Sequence, residues 1–286
     1  MKTQLELVFK YLNNGKPHSI KEIADDTHIL EPNIRRILGQ GCKKGEFKRI
    51  ARGVYTISKN SKQIAYIECG NALDVLPKLV NQNKKFDMIF LDPAYFSKAL
   101  IGGNRKIVDY KFISSFDFGI AMQSIVKLIK NDISHIYLML SGSPTAQIDM
   151  DNYYSKMVNV GLNLVYEGTY TKLYRNGKPV INLRGKRAAH ERLILFTKSG
   201  YARKGEETID LNFRCIRPFR KYKTEKSPEL LNSLIKNSTY ENEYILDCFA
   251  GSGVTGEEAL KLNRNISLIE ISKKAINEHI IPRLIN

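Results

Sequence analysis

Residues 244–270 read YILDCFAGSGVTGEEALKLNRNISLIE. Tyr244-Ile245-Leu246-Asp247 is a short run of strand type. A turn built on Gly251 and Gly253 follows, then a helical stretch from Val254 to Leu262. A second strand-type run, Ile266-Ser267-Leu268-Ile269-Glu270, closes the unit. Strand, glycine turn, helix and strand in this order make a parallel crossover. The same alternation extends outward. Ala65 to Cys69, Phe86 to Leu91, Ile136 to Leu140 and Leu193 to Phe196 read as strands, and Ala72 to Val80 and Ile120 to Ile129 as helices. Residues 63–286 are therefore expected to form an α/β domain, a doubly wound and mainly parallel sheet with helices on both faces. Ligands of such sheets bind at the carboxyl ends of the strands.

The first 60 residues follow another pattern. Leu5, Val8, Tyr11 and Leu12 make a helical stripe. Ser19 with Glu22 three residues on is a capping box for a short helix, Ile20 to Asp25. A second helix is expected from Glu31 to about Gln40, with Pro32 in its first turn and Asn33, Arg35 and Arg36 beside core-type Ile34, Ile37 and Leu38. Two strand-like pieces, Phe47 to Ile50 and Gly53 to Ile57, come next. The order resembles a small winged helix-turn-helix domain, whose second helix enters the DNA major groove. Polar residues 58–62 are the expected linker.

Composition narrows the function classes. Of the 286 residues, 43% are hydrophobic, enough for a packed core rather than a disordered chain. No run of 18 apolar residues appears, and the first residues lack the apolar core of an export signal, so a cytoplasmic protein away from membranes is expected. The four cysteines are scattered with no CxxC pair, which favours reduced thiols and no metal site. The net charge of +16 is uneven: residues 1–60 carry +6 and residues 172–226 carry +11, while the remainder nearly balances. Aromatic residues, among them Tyr174, Phe213 and Phe219, lie within the second basic stretch. One-signed stretches interleaved with aromatics suit a phosphate backbone.

Two turns at strand ends carry the chemistry. Asp92-Pro93-Ala94-Tyr95 follows the strand ending at Leu91, and Asp247-Cys248-Phe249-Ala250-Gly251-Ser252-Gly253 follows the strand ending at Leu246. Each puts a carboxylate and backbone polar groups at the mouth of the sheet. Together they make the sequence resemble the S-adenosylmethionine-dependent DNA amino-methyltransferases. DPAY resembles that family's DPPY catalytic motif, and residues 244–270 its cofactor motif. Thr224-Glu225-Lys226-Ser227-Pro228 resembles its T-x-K-P segment, and Arg187 to Lys198 a late motif, a strand preceded by an acidic residue. The catalytic motif precedes the cofactor motif, the circularly permuted order of the beta class. Ala94, Cys248, Ser227 and Asn71 depart from the family pattern.

The resemblance implies a Rossmann-like methyltransferase fold and assigns roles. Asp92 and the Pro93 carbonyl would accept hydrogen bonds from the exocyclic amine of adenine, and Tyr95 would stack on a base flipped out of double-stranded DNA. Asp247, Phe249, Gly251, Gly253, Glu270, Thr224, Lys226 and Asn71 would hold S-adenosylmethionine, with no metal. DNA would be met by Arg35 and Arg36 of the N-terminal module and by Lys172, Arg175, Lys186, Arg187, Arg217 and Arg220. A homodimer and a cognate restriction endonuclease stay open as partners. Three alternatives stay open as well: methylation of the cytosine amine, a non-catalytic DNA-binding regulator with a degenerate site, and an RNA or protein substrate.

Overall fold

The computed structural model describes residues 4–12, 17–43, 47–57, 63–93, 113–141, 147–180, 190–203, 205–216 and 225–285. They fall into two compact units, Met1–Gln63 and Ile64–Asn286.

The first unit runs α1 (Gln4–Leu12), β1 (His18–Ser19), α2 (Ile20–Thr27), α3 (Glu31–Lys43), β2 (Phe47–Ala51) and β3 (Val54–Ile57). The expected capping box is present: the Ser19 hydroxyl accepts from the Glu22 amide at 3.2 Å, and the Glu22 carboxylate accepts from the Ser19 amide at 2.6 Å. His28 in a left-handed conformation stops α2. Val8, Leu12, Ile23, Ile34, Leu38 and Phe47 fill the core. β3 pairs antiparallel with both β1 and β2. α3 continues three residues past the expected Gln40, to Lys43.

The second unit runs β4 (Ala65–Cys69), α4 (Ala72–Asn81), β5 (Met88–Leu91), α5 (Ser115–Leu128), β6 (His135–Ser141), α6 (Gln147–Asn159), β7 (Asn163–Leu173), β8 (His190–Thr197), β9 (Phe213–Ile216), α7 (Pro228–Ser238), β10 (Tyr244–Asp247), α8 (Val254–Lys261) and β11 (Asn265–Glu270). It ends in a continuous helix, α9 (Lys273–Ala275), a π-helical turn at Ile276–Ile280 and α10 (Ile281–Leu284). The eight strands are ordered β4-β11-β10-β5-β6-β8-β7-β9. Only β8 runs against the others, antiparallel to both β6 and β7.

Side-chain alternation along the buried strands divides the core between two faces. Ile89 and Leu91 join residues of α4, α5 and α6 on one face, while Met88 and Phe90 join residues of α7, α8 and the C-terminal helix on the other. β7 and β9 are additions to the strands expected from sequence. β7 interleaves polar and charged residues with apolar ones and is partly exposed, so no apolar run marks it.

Asp87 fixes the start of the strand pair at the sheet's centre. It is fully buried, its amide donates to the Tyr244 carbonyl at 2.8 Å, and its carboxylate accepts from the Tyr244 amide at 3.1 Å. Lys130 at 2.8 Å and Arg203 at 3.0 Å balance its charge. Without Asp87 the Tyr244 amide loses its acceptor, while Arg203 keeps Glu243 at 3.0 Å. Asp87→Ala is expected to lower unfolding free energy by about 1–3 kcal/mol, the cost of an unsatisfied buried donor, read as a shift of the urea midpoint.

Candidate active site

The parallel pairing of β5 with β10 sets the site. Phe90 lies opposite Asp247, and the Cys248 amide donates to the Phe90 carbonyl at 3.3 Å. Asp92 and Asp247 therefore leave the sheet at the same edge, on adjacent strands. β11 lies on the other side of β10, with Leu268 opposite Asp247, and delivers Glu270 to that edge. β4 comes next: the Gly70 amide donates to the Glu270 carbonyl at 3.0 Å. Asn71 follows and caps α4, its side-chain oxygen accepting from the Leu73 amide at 3.0 Å.

The glycine turn is held by acidic side chains. Asp247 accepts from the Phe249 amide at 3.0 Å. Glu270 accepts from the Gly251 amide at 2.8 Å through one oxygen and from the Ser272 amide at 2.8 Å through the other. Gly251 has φ 53° and Gly253 φ 76°, in the left-handed region that suits glycine. Gly253 also packs on the π-helical turn: a Cβ there would lie 3.1 Å from Ile280 Cγ1 and 3.2 Å from its Cα. Phe249 is partly buried against the core face shared by α4 and α5.

The electrostatics follow from burial. Asp247 is 2% exposed, and burial pushes its carboxyl up to about 7, with the charges of Asp92 and Glu270 adding to the shift. Burial also raises Glu270, against the backbone amides that favour its ionised form. Asp92 is raised by burial and by Glu191, against the pull of Lys226.

Lys226 is the cation of this edge. Its Nζ is 2.7 Å from Asp92 Oδ2 and 3.0 Å from Glu191 Oε2. The other Glu191 oxygen is 2.5 Å from Lys172 Nζ. The segment carrying Lys226 is pinned on both sides. Glu225 pairs with Arg283 at 2.8 Å, and the Ser227 amide donates to the Tyr170 hydroxyl at 3.1 Å.

The profile of the N6/N4 DNA methylase family matches residues 62–281, most of the chain and nearly all of the second unit. The chain belongs to this family. It is a DNA methyltransferase, and the family spans enzymes of the adenine and the cytosine amine. The chain is 26% identical over 262 residues to the type II methyltransferase M2.LlaDCHI of Lactococcus lactis subsp. cremoris, covering 76% of this chain and 91% of that one. It is 26% identical over 224 residues to the type II methyltransferase M2.DpnII of Streptococcus pneumoniae, covering 67% and 80%. Two solved structures share the fold. The M1.HpyAVI–SAM complex has a TM-score of 0.58 at 20% identity, covering 77% of this chain and 99% of that one. The cytosine-N4-specific PvuII DNA methyltransferase has a TM-score of 0.58 at 15% identity, covering 75% and 84%.

The methyltransferase's strand-end chemistry fits the family's cofactor. Asp92, Asp247 and Glu270 are all held above the ordinary carboxylate range. They favour a ligand that brings positive charge and hydrogen-bond donors. S-adenosylmethionine offers a sulfonium, an ammonium and ribose hydroxyls. Among the described residues no His, Cys, Asp and Glu side chains group as metal ligands, and no helix is long and apolar enough to cross a membrane.

Asp92, Pro93, Asn71, Lys226, Asp247, Phe249, Gly251, Gly253 and Glu270 thus lie at or beside the carboxyl edge of the sheet. Two basic residues make ion pairs within the protein. Lys226 faces Asp92 and Glu191, since these carboxylates are the anions within its reach. Lys172 stands on β7, and its ammonium is taken by Glu191 across the strand pair. Arg175 sits in the turn where the Gly177 amide donates to the Tyr174 carbonyl at 2.9 Å. Arg35 and Arg36 are exposed on α3, Arg35 paired with Glu31 at 2.9 Å. Tyr95, Lys186, Arg187, Arg217, Arg220 and Thr224 lie outside the described residues. Glu191, Tyr170 and Arg283 received no role from the sequence; the one signal was a charged residue opening the apolar strand run at Leu193.

The raised Asp247 carboxyl has a thermodynamic consequence. It binds a proton more tightly folded than unfolded, so its contribution to stability is complete below the unfolded value near 4 and is lost as pH rises through about 7. The shift corresponds to on the order of 4 kcal/mol. Asp247→Asn keeps a neutral acceptor. Its stability relative to the parent is expected to increase between pH 4 and pH 8, read from paired urea midpoints.

Proposed function

We propose that the protein is a beta-class, circularly permuted methyltransferase that transfers a methyl group from S-adenosylmethionine to the exocyclic amine of adenine in double-stranded DNA. The observation that carries this reading is the adjacency of the Asp92-Pro93 turn and the Asp247–Gly253 turn at one sheet edge. The order of those two turns along the chain supports the permuted class. The aspartate that opens DPAY favours adenine, since amino-methylating enzymes of cytosine usually open this motif with serine.

The amine's lone pair is delocalised into the base, so activation requires geometry more than a strong base. The Asp92 carboxylate and the Pro93 carbonyl each accept a hydrogen bond from the amine, which draws it toward a tetrahedral shape. Positioning and electrostatics of this kind contribute several kcal/mol in a water-poor site. Tyr95 stacks on the base, which leaves the duplex at a cost of a few kcal/mol. The bound cofactor supplies an electrophilic methyl group on sulfur. Asp247 receives its ammonium, Glu270 its ribose hydroxyls, and Phe249 and Asn71 flank it. Gly251 and Gly253 keep the turn free of side chains, and Thr224 lies on the cofactor side. Lys226 stands at the seam between cofactor and base.

Residues 1–60 act in this reading as a winged-helix module. Its support is the order α1-β1-α2-α3-β2-β3, with Arg35 and Arg36 exposed on α3. Arg175, Lys186, Arg187, Arg217 and Arg220 then meet the phosphate backbone from the catalytic unit.

Expression in a methylation-deficient host, followed by sequencing that reports modified bases, tests the function. N6-methyladenine in one fixed short motif is expected. N4-methylcytosine would replace adenine by cytosine, and the absence of any modified base would overturn the reading. Asp92→Ala is expected to lose transfer while binding cofactor within a few-fold of the parent by calorimetry. Deleting residues 1–60 is expected to weaken DNA binding or change the modified motif; an unchanged affinity and motif would remove the module from recognition.

A further inference from the structure

Lys226 poses a problem for the reading above. An ammonium 2.7 Å from Asp92 Oδ2 competes for the carboxylate that is to receive the target amine. An exclusive pair would neutralise Asp92 and occupy its lone pairs. The pair is not exclusive. Glu191 Oε2 lies 3.0 Å from the same ammonium, an ion pair without hydrogen-bond geometry, and Glu191 Oε1 is bound by Lys172 at 2.5 Å. Charges therefore alternate, Lys172, Glu191, Lys226, Asp92, across β7, β8, the segment before α7 and the end of β5. All four side chains are mostly withdrawn from solvent.

The two carboxylates are differently placed. Glu191 stands between two ammonium groups, and these hold its carboxyl well below the ordinary range although burial opposes ionisation. Among the described residues Asp92 pairs with Lys226, with Glu191 and Asp247 as nearby anions and Lys172 as a more distant cation. Glu191 is thus the fixed anion of the chain and Asp92 the adjustable one. The backbone beside Lys226 is held by Tyr170 at Ser227 and by Arg283 at Glu225. The ammonium lies within 3.0 Å of an oxygen of each carboxylate.

We propose that Glu191, backed by Lys172, is a positioning residue for methyl transfer: it holds the Lys226 ammonium beside a second carboxylate, so that the oxygens of Asp92 stay available to the target amine. This rests on the assignment of Asp92 above and adds two residues from the β7–β8 pair to the machinery. Glu191 touches neither base nor cofactor in this account; it acts through Lys226.

The test is the pH dependence of single-turnover transfer at saturating DNA and cofactor, for the parent, Glu191→Gln, Glu191→Asp, Lys172→Met and Asp92→Ala. Glu191→Gln removes the second carboxylate from beside Lys226. The transfer rate is expected to fall roughly 10–100-fold, and the acidic limb of the profile to move to lower pH, since an anion beside Asp92 is gone. Glu191→Asp is expected to restore part of the rate and return the limb toward the parent. Lys172→Met removes a cation, so its acidic limb is expected to move the opposite way, to higher pH. A purely structural role would change unfolding midpoints without shifting the limbs in opposite directions. If Asp92→Ala is inactive while Glu191→Gln matches the parent in rate and limb, Glu191 has no positioning role. Rate loss in Glu191→Gln and Lys172→Met with unmoved limbs would overturn the proposal as well. If Asp92→Ala retains transfer, the assignment of Asp92 itself fails.

Discussion

The parallel pairing of β5 with β10 is the constraint on which the site depends. These strands are far apart in sequence, yet their register places Phe90 beside Asp247. Everything beyond that rung on either strand must leave the sheet at the same edge. Asp92 and Pro93 lie two and three residues past the rung, and the glycine turn begins at once after Asp247. Asp87 holds the other end of the pair through two hydrogen bonds to the Tyr244 backbone, one from its amide and one to its carboxylate. A slip of one residue would turn Phe90 from one face to the other and carry Asp92 away from Asp247.

Among the described residues, that edge brings together the carboxylates of Asp92, Asp247 and Glu270. Asp247 and Glu270 are answered by backbone amides, and Asp92 by Lys226. Burial raises these carboxyls, against the amides that favour their ionised forms. The edge is poised for a cation. The β7–β8 side answers with alternating signs, where each ion has an opposite neighbour. One half of the edge thus awaits a charged ligand, and the other is balanced within the protein.

Much of the catalytic unit is legible in sequence because its strands are buried on both faces. Met88–Leu91 and His135–Ser141 are dense in apolar residues, and the Gly251-Ser252-Gly253 turn marks where the chain must bend sharply. β7 escapes because Asn163, Glu167 and Thr169 break its apolar pattern on a partly solvated strand near the sheet edge. The candidate site divides in the same way. Asp92, Asp247 and Glu270 are legible because each closes an apolar run. The Lys226–Asp92 and Lys172–Glu191 contacts are not, since they depend on how separate strands register and on which anion a long side chain reaches. Charge counting marks Lys172 as a DNA contact; the pairing of β7 with β8 gives it to Glu191.

The central claim is that the Asp92 turn and the glycine turn form the two sides of one methyl-transfer site. A crystal structure of the protein with S-adenosylhomocysteine tests it most directly. The account predicts the amino-acid moiety beside Asp247 and Gly251, the ribose on Glu270, and the sulfur directed toward Asp92. Density for the ligand elsewhere on the sheet, or a sulfur turned away from Asp92, would contradict it.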